Sequence, residues 1–139
     1  MSTTEPTIRA FRETDIPSLV KILELNGQYG YPEVEGPEAM KRVAKCAAAV
    51  FLVAEAHEQP CGFIKAVYDG SRALIHLLSV HPRHQRSGIG RALVHAAVAE
   101  LQRRGAPSVS VTVTEKSTGF WERIGFKRLP VFLMLQELT

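Results

Sequence analysis

A strand, a glycine-rich turn and a helix follow one another without a break in the middle of the chain. The apolar run over residues 74–80 predicts a buried strand. Pro82 ends that strand because it has no N–H group to donate to a sheet. Apolar side chains then recur at helical spacing, at Ile89, Leu93, Ala96, Ala97 and Leu101. Gly88 and Gly90 lack the Cβ atoms that would keep a ligand from the start of this helix, so its first N–H groups are open to one.

The start of this helix predicts a binding site for a phosphate or diphosphate. Unpaired N–H groups and the positive end of the helix dipole both favour a negative charge there. Basic side chains crowd the same turn, namely His81, Arg83, His84, Arg86 and Arg91. Two common phosphate motifs do not match: Leu93 stands where a dinucleotide fingerprint has its third small residue, and the Gly-Lys-Ser/Thr of a Walker loop is absent. The plain alternative is a helix start that holds no ligand.

Length and composition predict one domain over residues 1–139. A hydrophobic share of 45% and a charged share of 22% are typical of a globular protein with a single core. No apolar run approaches the roughly 20 residues of a membrane span. The N-terminal residues have neither the basic start nor the apolar stretch of a signal peptide. We therefore expect a cytoplasmic protein with no membrane partner.

The cysteines and the net charge point away from metal and nucleic-acid chemistry. Cys46 and Cys61 have no second cysteine or histidine at metal-binding spacing, so we expect two reduced, buried thiols and no metal site. The formal net charge is only +3, and much of the excess lies in the basic turn. An anionic cofactor explains that excess as well as nucleic acid would, and no aromatic residues are interleaved with the basic ones.

The remaining pattern predicts further strands and helices around this unit. Strands are expected over residues 7–11, 50–56, 61–68, 109–113 and 131–138. Helices are expected up to Gly27 after an N-cap at Thr14 or Asp15, over residues 37–48 and over residues 116–124, with a loop over residues 28–36. Three antiparallel strands thus precede the glycine turn. The long helix after it connects the strands over 74–80 and 109–113, which should therefore be parallel neighbours.

Several segments resemble the GNAT superfamily of N-acetyltransferases. Gln85, Gly88 and Gly90 match the family's diphosphate loop, Gln/Arg-x-x-Gly-x-Gly/Ala, and residues 120–126 are similar to its closing motif. The resemblance implies an α/β (α+β) fold, a single GNAT domain with a mixed, mostly antiparallel sheet, a splayed parallel central pair and about four flanking helices. The turn over residues 68–72 looks like a small bacterial branch akin to the ribosomal-protein alanine acetyltransferases, although a plain β-turn explains it too.

The resemblance implies acetyl-CoA as co-substrate and an amine as acceptor. In the family the CoA diphosphate lies on the glycine loop, and pantetheine pairs as an added strand between the strand ending at Val80 and the strand over residues 109–113. A backbone N–H near Leu78 or Ser79 would then point at the thioester oxygen and stabilise the negative charge that develops there. The implied cofactor-binding residues are Leu78, Ser79, Val80, Gln85, Arg86, Ser87, Gly88, Ile89, Gly90 and Arg91.

Transfer to an amine also needs a base and an acid. His76 is the expected base because it lies on the strand that presents the thioester and because histidine is the side chain suited to proton transfer near neutral pH. Glu55 acting through water is the alternative, and a packed structural histidine is the plain interpretation of His76. The family often supplies the acid from a tyrosine at the position of Trp121, whose indole N–H has no useful acid function. Thr114 stands where the family often has an asparagine. Substrate contacts are expected at Tyr31, Tyr68 and Arg72.

Three functions from different classes remain open. The first is direct transfer of an acetyl group from acetyl-CoA to a primary amine of a small molecule or a peptide. The second is a catalytically silent acyl-CoA-binding module, suggested by Trp121 and Thr114 at the usual catalytic positions. The third is a nucleic-acid-binding domain, which rests only on the basic turn and is not expected. A homodimer formed through the last strand is a further expectation from the resemblance.

Overall fold

Five strands lie in the order β1-β2-β3-β4-β5 in the computed structural model, which describes residues 6–138. They are β1 Thr7–Ala10, β2 Ala49–Ala56, β3 Gln59–Tyr68, β4 Ala73–Val80 and β5 Val109–Val111. The pairs β1–β2, β2–β3 and β3–β4 are antiparallel, and β5 is parallel to β4. The parallel pairing is as predicted, because a helix connects these two strands.

Helices cover both faces of this sheet. They are α1 Ile16–Leu25, α2 Pro32–Glu35, α3 Pro37–Ala44, α4 Ile89–Arg103 and α5 Thr118–Arg123. On one face, α1 and α3 contribute Leu19 and Met40 to a buried cluster around Phe63. On the other face, α4 contributes Leu93 and Leu101. α2 is a single turn inside the predicted loop, so four longer helices flank a mixed sheet, and the predicted fold class is confirmed.

β5 accompanies β4 only along the first part of that strand. Residues 73–75 pair with residues 109–111, and the later part of β4 has no β5 partner within the described chain. β5 ends two residues before its predicted end. The pairing of β3 with β4 also skips His76, which forms a β-bulge directly after the paired part. The two parallel strands therefore separate toward the C-terminal end of β4.

The predicted strand over residues 131–138 is absent. Residues 130–138 form no strand, and their large apolar side chains lie in solvent. Together with Leu129, the exposed residues are Val131, Phe132, Leu133, Met134, Leu135 and Leu138, with exposed fractions from 61% to 93%. High β-propensity was not enough, because a strand exists only where a second strand pairs with its backbone groups. The β4–β5 pair consequently lies at one edge of the sheet.

Asp15 stands at the N-cap position of α1, as predicted, but its side chain makes no capping hydrogen bond to that helix. Its carboxylate accepts hydrogen bonds from the guanidinium of Arg9 at 2.8 and 2.9 Å and from the N–H of Arg12 at 2.8 Å. Arg9 also donates to Glu55 at 2.7 Å, so the cluster joins β1, β2 and the turn before α1. Burial raises the pKa of Asp15, but the hydrogen bonds from Arg9 and Arg12 outweigh burial and hold that pKa below its usual 3.8.

Two predictions about the segment before β2 are wrong. α3 ends at Ala44, four residues early, because the chain turns to enter β2 and the N–H of Cys46 bonds to the carbonyl of Val43 at 3.0 Å. Cys46 is exposed, whereas Cys61 is buried as predicted, and burial raises the pKa of the Cys61 thiol.

No helix within residues 6–138 is both long and apolar enough to cross a membrane.

Candidate active site

The turn between β4 and α4 has a defined backbone shape. A short 3-10 turn over Pro82–His84 follows β4, and the Nδ1 atom of His81 accepts the N–H of Arg83 at 3.1 Å. The chain then passes through left-handed conformations at Arg86, with φ of 64°, and at Gly88, with φ of 88°. Such a φ suits glycine, and no heavy atom lies within 4 Å of where a Cβ on Gly88 would be. The turn is therefore open to a ligand at Gly88.

Unpaired donors and positive charge surround this opening. The N–H of Ala92 bonds back to the carbonyl of Gly88 at 2.9 Å, so the N–H groups of residues 89–91 have no partner within α4. No side chain of the described residues caps them. The guanidinium groups of Arg83, Arg86 and Arg91 form no ion pair within residues 6–138. Burial lowers the pKa of His81, and the positive charges of His84 and Arg83 lower it further.

The edge of β4 beside the gap carries free N–H groups. The N–H of His81 bonds to the carbonyl of Cys61 at 2.8 Å, which fixes which residues of β4 face β3. Because successive residues of a strand alternate, the backbone groups of Leu78 and Val80 point away from β3, toward the gap that β5 leaves. Within residues 6–138 no acceptor pairs with either N–H. Ser79 turns its N–H toward β3, so Leu78 is the better placed of the two predicted donors.

Amide side chains meet where β4 becomes the turn. Asn26 Nδ2 donates to the carbonyl of Val80 at 2.8 Å and to Ser79 Oγ at 2.9 Å. Gln85 Nε2 donates to the same carbonyl at 3.0 Å and to Asn26 Oδ1 at 3.1 Å. Ser79 Oγ donates to Gln28 Oε1 at 2.6 Å. Sequence reasoning missed Asn26 and Gln28, since they lie more than 50 positions before Val80 and Ser79 and no spacing pattern relates them to these residues.

A buried ion pair between Glu35 and Lys65 connects α2 to β3 of the sheet. The Lys65 side chain, on β3 opposite the bulge, is 6% exposed, and its ammonium group donates to the carboxylate of Glu35 at the end of α2. The ammonium also lies 5.9 Å from the centre of the Phe51 ring. Tyr31, a predicted substrate contact, stands at the start of α2 and is 57% exposed. α2 thus covers the sheet beside the bulge at His76.

The comparison with known families decides what this arrangement belongs to. A family model described as an acetyltransferase (GNAT) domain matches residues 28–131, about three quarters of the chain. The chain belongs to the GNAT acetyltransferase family. Its co-substrate is accordingly acetyl-CoA. The described residues fit such a molecule, since unpaired N–H groups at the start of α4 suit a diphosphate and those of Leu78 and Val80 suit carbonyl oxygens.

Several solved structures share this fold. A transcriptional regulator from Bacillus halodurans C-125 is 26% identical, covers 95% of this chain and 99% of its own, and has a TM-score of 0.82. A PaiA N-acetyltransferase from Thermoplasma acidophilum, in complex with coenzyme A, is 19% identical over 95% of this chain and 94% of its own, with a TM-score of 0.84. An aminoglycoside 6'-N-acetyltransferase from Acinetobacter haemolyticus is 18% identical over 96% and 99%, with a TM-score of 0.76.

Trp121, at the GNAT tyrosine position, lies in the core. It is 6% exposed and packs edge-to-face against Phe120 and Phe126, with 5.2 Å between ring centres in each case. Phe120, a residue of α5 that sequence reasoning did not single out as a site residue, is half-buried, and its ring lies beside the start of α4. A Cβ on Gly90 would lie 3.4 Å from the Phe120 ring and 3.7 Å from the Leu78 side chain. Phe120 is therefore the aromatic residue beside the gap.

The other predicted site residues are not all brought together. His76 is exposed on the bulge of β4. Tyr68 and Arg72 flank the turn before β4, roughly 20 Å from Val80 along the strand, so the geometry does not favour their prediction as acceptor contacts. Glu55 lies on β2, two strands from β4, and its carboxylate is held by Arg9 at 2.7 Å. This position does not favour the alternative base role of Glu55, which stays untested.

Proposed function

We propose that the chain transfers an acetyl group directly from acetyl-CoA to a primary amine of a small molecule or a peptide, with residues 1–139 acting as one domain. The observation that carries this proposal is the gap beside β4. There, the unpaired N–H of Leu78 lies on the same strand that leads into the donors of residues 89–91. One end of the gap suits a diphosphate, and the other suits a thioester.

Backbone groups supply most of the proposed chemistry. The N–H groups of residues 89–91, with Arg86 and Arg91, would hold the diphosphate. The N–H of Leu78 would donate to the thioester oxygen as negative charge develops on it. Removal of one such donor costs about 3 kcal/mol in other enzymes, so this N–H can contribute more than any one side chain here.

Proton transfer limits the choice of acceptor. An alkylamine with a pKa of about 10 pays roughly 4 kcal/mol to be neutral at pH 7 unless a base assists. His76 is the proposed base because it is exposed on the bulge, two residues before Leu78, and can pass its proton to water. If the pH profile of turnover in His76→Gln matches that of the wild-type chain, this role is excluded.

A catalytically silent acyl-CoA-binding module is the second candidate. The observation that favours it is Trp121, which is buried between two aromatic rings and offers no acid for the leaving sulfur. In the transferase proposal, water in the open gap supplies that proton. A nucleic-acid-binding domain, the third alternative, predicts that acetyl-CoA does not displace a bound oligonucleotide.

Two measurements test these candidates. Isothermal titration calorimetry measures CoA binding, and a thiol assay measures CoA release across a panel that includes an aminoglycoside, simple alkylamines and peptides with free N-termini. Binding with amine-dependent release supports the transferase. Binding with no release across the panel supports the silent module, and absence of CoA binding contradicts both.

We also propose that two copies of the chain associate through residues 129–138. The support is the run of exposed apolar side chains there, together with the open edge of β5. A monomer seldom leaves a contiguous apolar patch larger than a few hundred Å² in water. The cytoplasmic location stays a prediction from the sequence.

A further inference from the structure

The side-chain amide of Asn26 makes three hydrogen bonds at the end of β4, two as a donor and one as an acceptor. Its Nδ2 atom donates to the Val80 carbonyl at 2.8 Å and to Ser79 Oγ at 2.9 Å, and its Oδ1 atom accepts from Gln85 Nε2 at 3.1 Å. Only a primary amide can donate two hydrogen bonds and accept a third at one place. Asn26 itself is held at the end of α1, where its N–H bonds to the carbonyl of Ile22 at 3.0 Å.

These bonds hold both ends of a short segment of the turn. The Val80 carbonyl accepts from Asn26 and from Gln85, so both of its lone pairs are used. Val80 comes directly before the turn and Gln85 lies five residues later, just ahead of Arg86 and Gly88. A shift of Gln85 would therefore displace the left-handed residues that aim the N–H groups of residues 89–91.

The same bonds decide what the gap offers to a ligand. The carbonyl of Val80 faces the gap but is already satisfied, whereas its N–H is unpaired. Gln28 Nε2 lies 3.4 Å from the carbonyl of Leu78, the other carbonyl on that edge. The end of β4 thus presents free donors and occupied acceptors, which suits the oxygen atoms of a bound ligand.

We infer that Asn26 is a positioning residue for the diphosphate loop, although it lies at the end of α1, far from that loop in the sequence, and need not touch the co-substrate. The inference rests on the proposed function. It predicts that Asn26 acts through Gln85 and the Val80 carbonyl, and that its removal weakens the binding of the diphosphate rather than the binding of the thioester arm.

The test compares two probes on four proteins and one control variant. CoA binding is measured by calorimetry, and binding of acetyl-pantetheine, which has the thioester arm but no diphosphate, is measured by NMR titration. The proteins are the wild-type chain, Asn26→Ala, Gln85→Ala and the double variant. Gln102→Ala, which removes an exposed amide from the far end of α4, is the matched control. We expect about a tenfold loss of CoA affinity in Asn26→Ala, less than threefold loss for acetyl-pantetheine, and no change in the control.

The double variant separates positioning from a general structural effect. If Asn26 and Gln85 act as one unit, the loss of CoA affinity in the double variant is not additive. The double variant then binds CoA at most about twofold more weakly than whichever single variant binds CoA less tightly. CoA affinity of Asn26→Ala within twofold of wild type, equal losses for the two probes, or additive losses in the double variant would each overturn the inference while leaving the proposed function intact. Absence of CoA binding by the wild-type chain would overturn both.

Discussion

At the scale of single residues, Gly88 and Gly70 have the same left-handed backbone conformation but lie in different turns of the chain. Both have a strongly positive φ, 88° and 99°, and neither would bring a Cβ within 4 Å of another heavy atom. Gly88 faces the opening at the start of α4, whereas Gly70 lies in the turn before β4. An alanine at either position carries a similar backbone strain, so the pair separates strain from an effect on the ligand.

We predict that Gly88→Ala lowers CoA affinity at least tenfold, because its methyl group enters the space proposed for the diphosphate. Gly70→Ala should leave CoA affinity within twofold of wild type. Both variants should lose about 1–2 kcal/mol of unfolding free energy from the left-handed backbone. Calorimetry and urea unfolding measure the two quantities. Equal CoA affinities in the two variants would contradict the placement of the diphosphate at Gly88.

The ionised cluster at Asp15 gives a prediction that depends on pH. Asp15→Asn should lose about 1–3 kcal/mol of unfolding free energy at pH 7, because a buried carboxylate that accepts charged hydrogen bonds from Arg9 is replaced. The folded-state pKa of Asp15 lies below its unfolded value, so its contribution is present above about pH 4 and is lost as pH falls through the folded pKa.

Urea unfolding at several pH values measures this difference. The difference in unfolding free energy between the wild-type chain and Asp15→Asn should become smaller as the pH falls below 4. Glu13→Gln, which removes an exposed carboxylate two positions earlier, is the control and should change little at any pH. A difference in unfolding free energy that stays constant below pH 4 would show that the Asp15 carboxylate is not what stabilises the junction of β1, β2 and α1.

At the scale of elements, a buried ion pair joins α2 to the sheet. A single helical turn of four residues is not stable by itself, since helix nucleation is costly. Glu35 at its end is tied to the buried ammonium of Lys65 on β3. We therefore expect this ion pair to hold residues 28–36 in one conformation beside the bulge at His76.

We predict that Lys65→Met speeds cleavage by a glutamate-specific protease after Glu33 or Glu35 several-fold. Methionine fills the apolar site of the Lys65 stem but cannot bond to Glu35, so α2 opens more often. Mass spectrometry of the fragments measures the rate at each site. Lys45→Met removes an exposed lysine after α3 and should leave the rate unchanged. A wild-type cleavage rate in Lys65→Met would mean that the ion pair does not hold α2.

At the scale of the whole molecule, residues 129–138 and the edge of β5 are complementary. The segment carries large apolar side chains, and β5 has unpaired backbone groups on its outer side within the described chain. A large apolar side chain offers about 100 Å² of surface, so the segments of two copies together offer on the order of 1,400 Å². Stable interfaces bury roughly 1,200–2,000 Å². Exchange of the segment between two copies would cover both features by one symmetric contact.

We predict that the chain elutes as a dimer, at twice the chain mass, in size-exclusion chromatography with light scattering. A double variant, Phe132→Glu with Leu135→Glu, should be monomeric, because charges in the exchanged segment oppose burial. Leu25→Glu alters an exposed apolar residue at the end of α1 and should stay dimeric. A monomeric wild-type chain, or a dimer that survives the double variant, would contradict the proposed exchange.

The sequence by itself determined most of the elements and the turn before α4. Alternation of apolar residues marked the strands, and helical spacing from Ile89 onward marked α4, because these periods follow from local backbone geometry. The turn was predictable for the same reason: its glycines, its basic residues and the helix start after it lie within a dozen positions. Gly88 adopts the positive φ that such a turn needs.

Only the tertiary structure decided which backbone groups stay free and which distant side chains control them. The bulge at His76, the open N–H of Leu78 and the bonds from Asn26 arise from the pairing of strands and from the packing of α1, and no local rule reports them. The apolar run at the end of the chain shows the converse. Its residues favour a strand, but a strand requires a partner edge, and no edge within the described residues pairs with it.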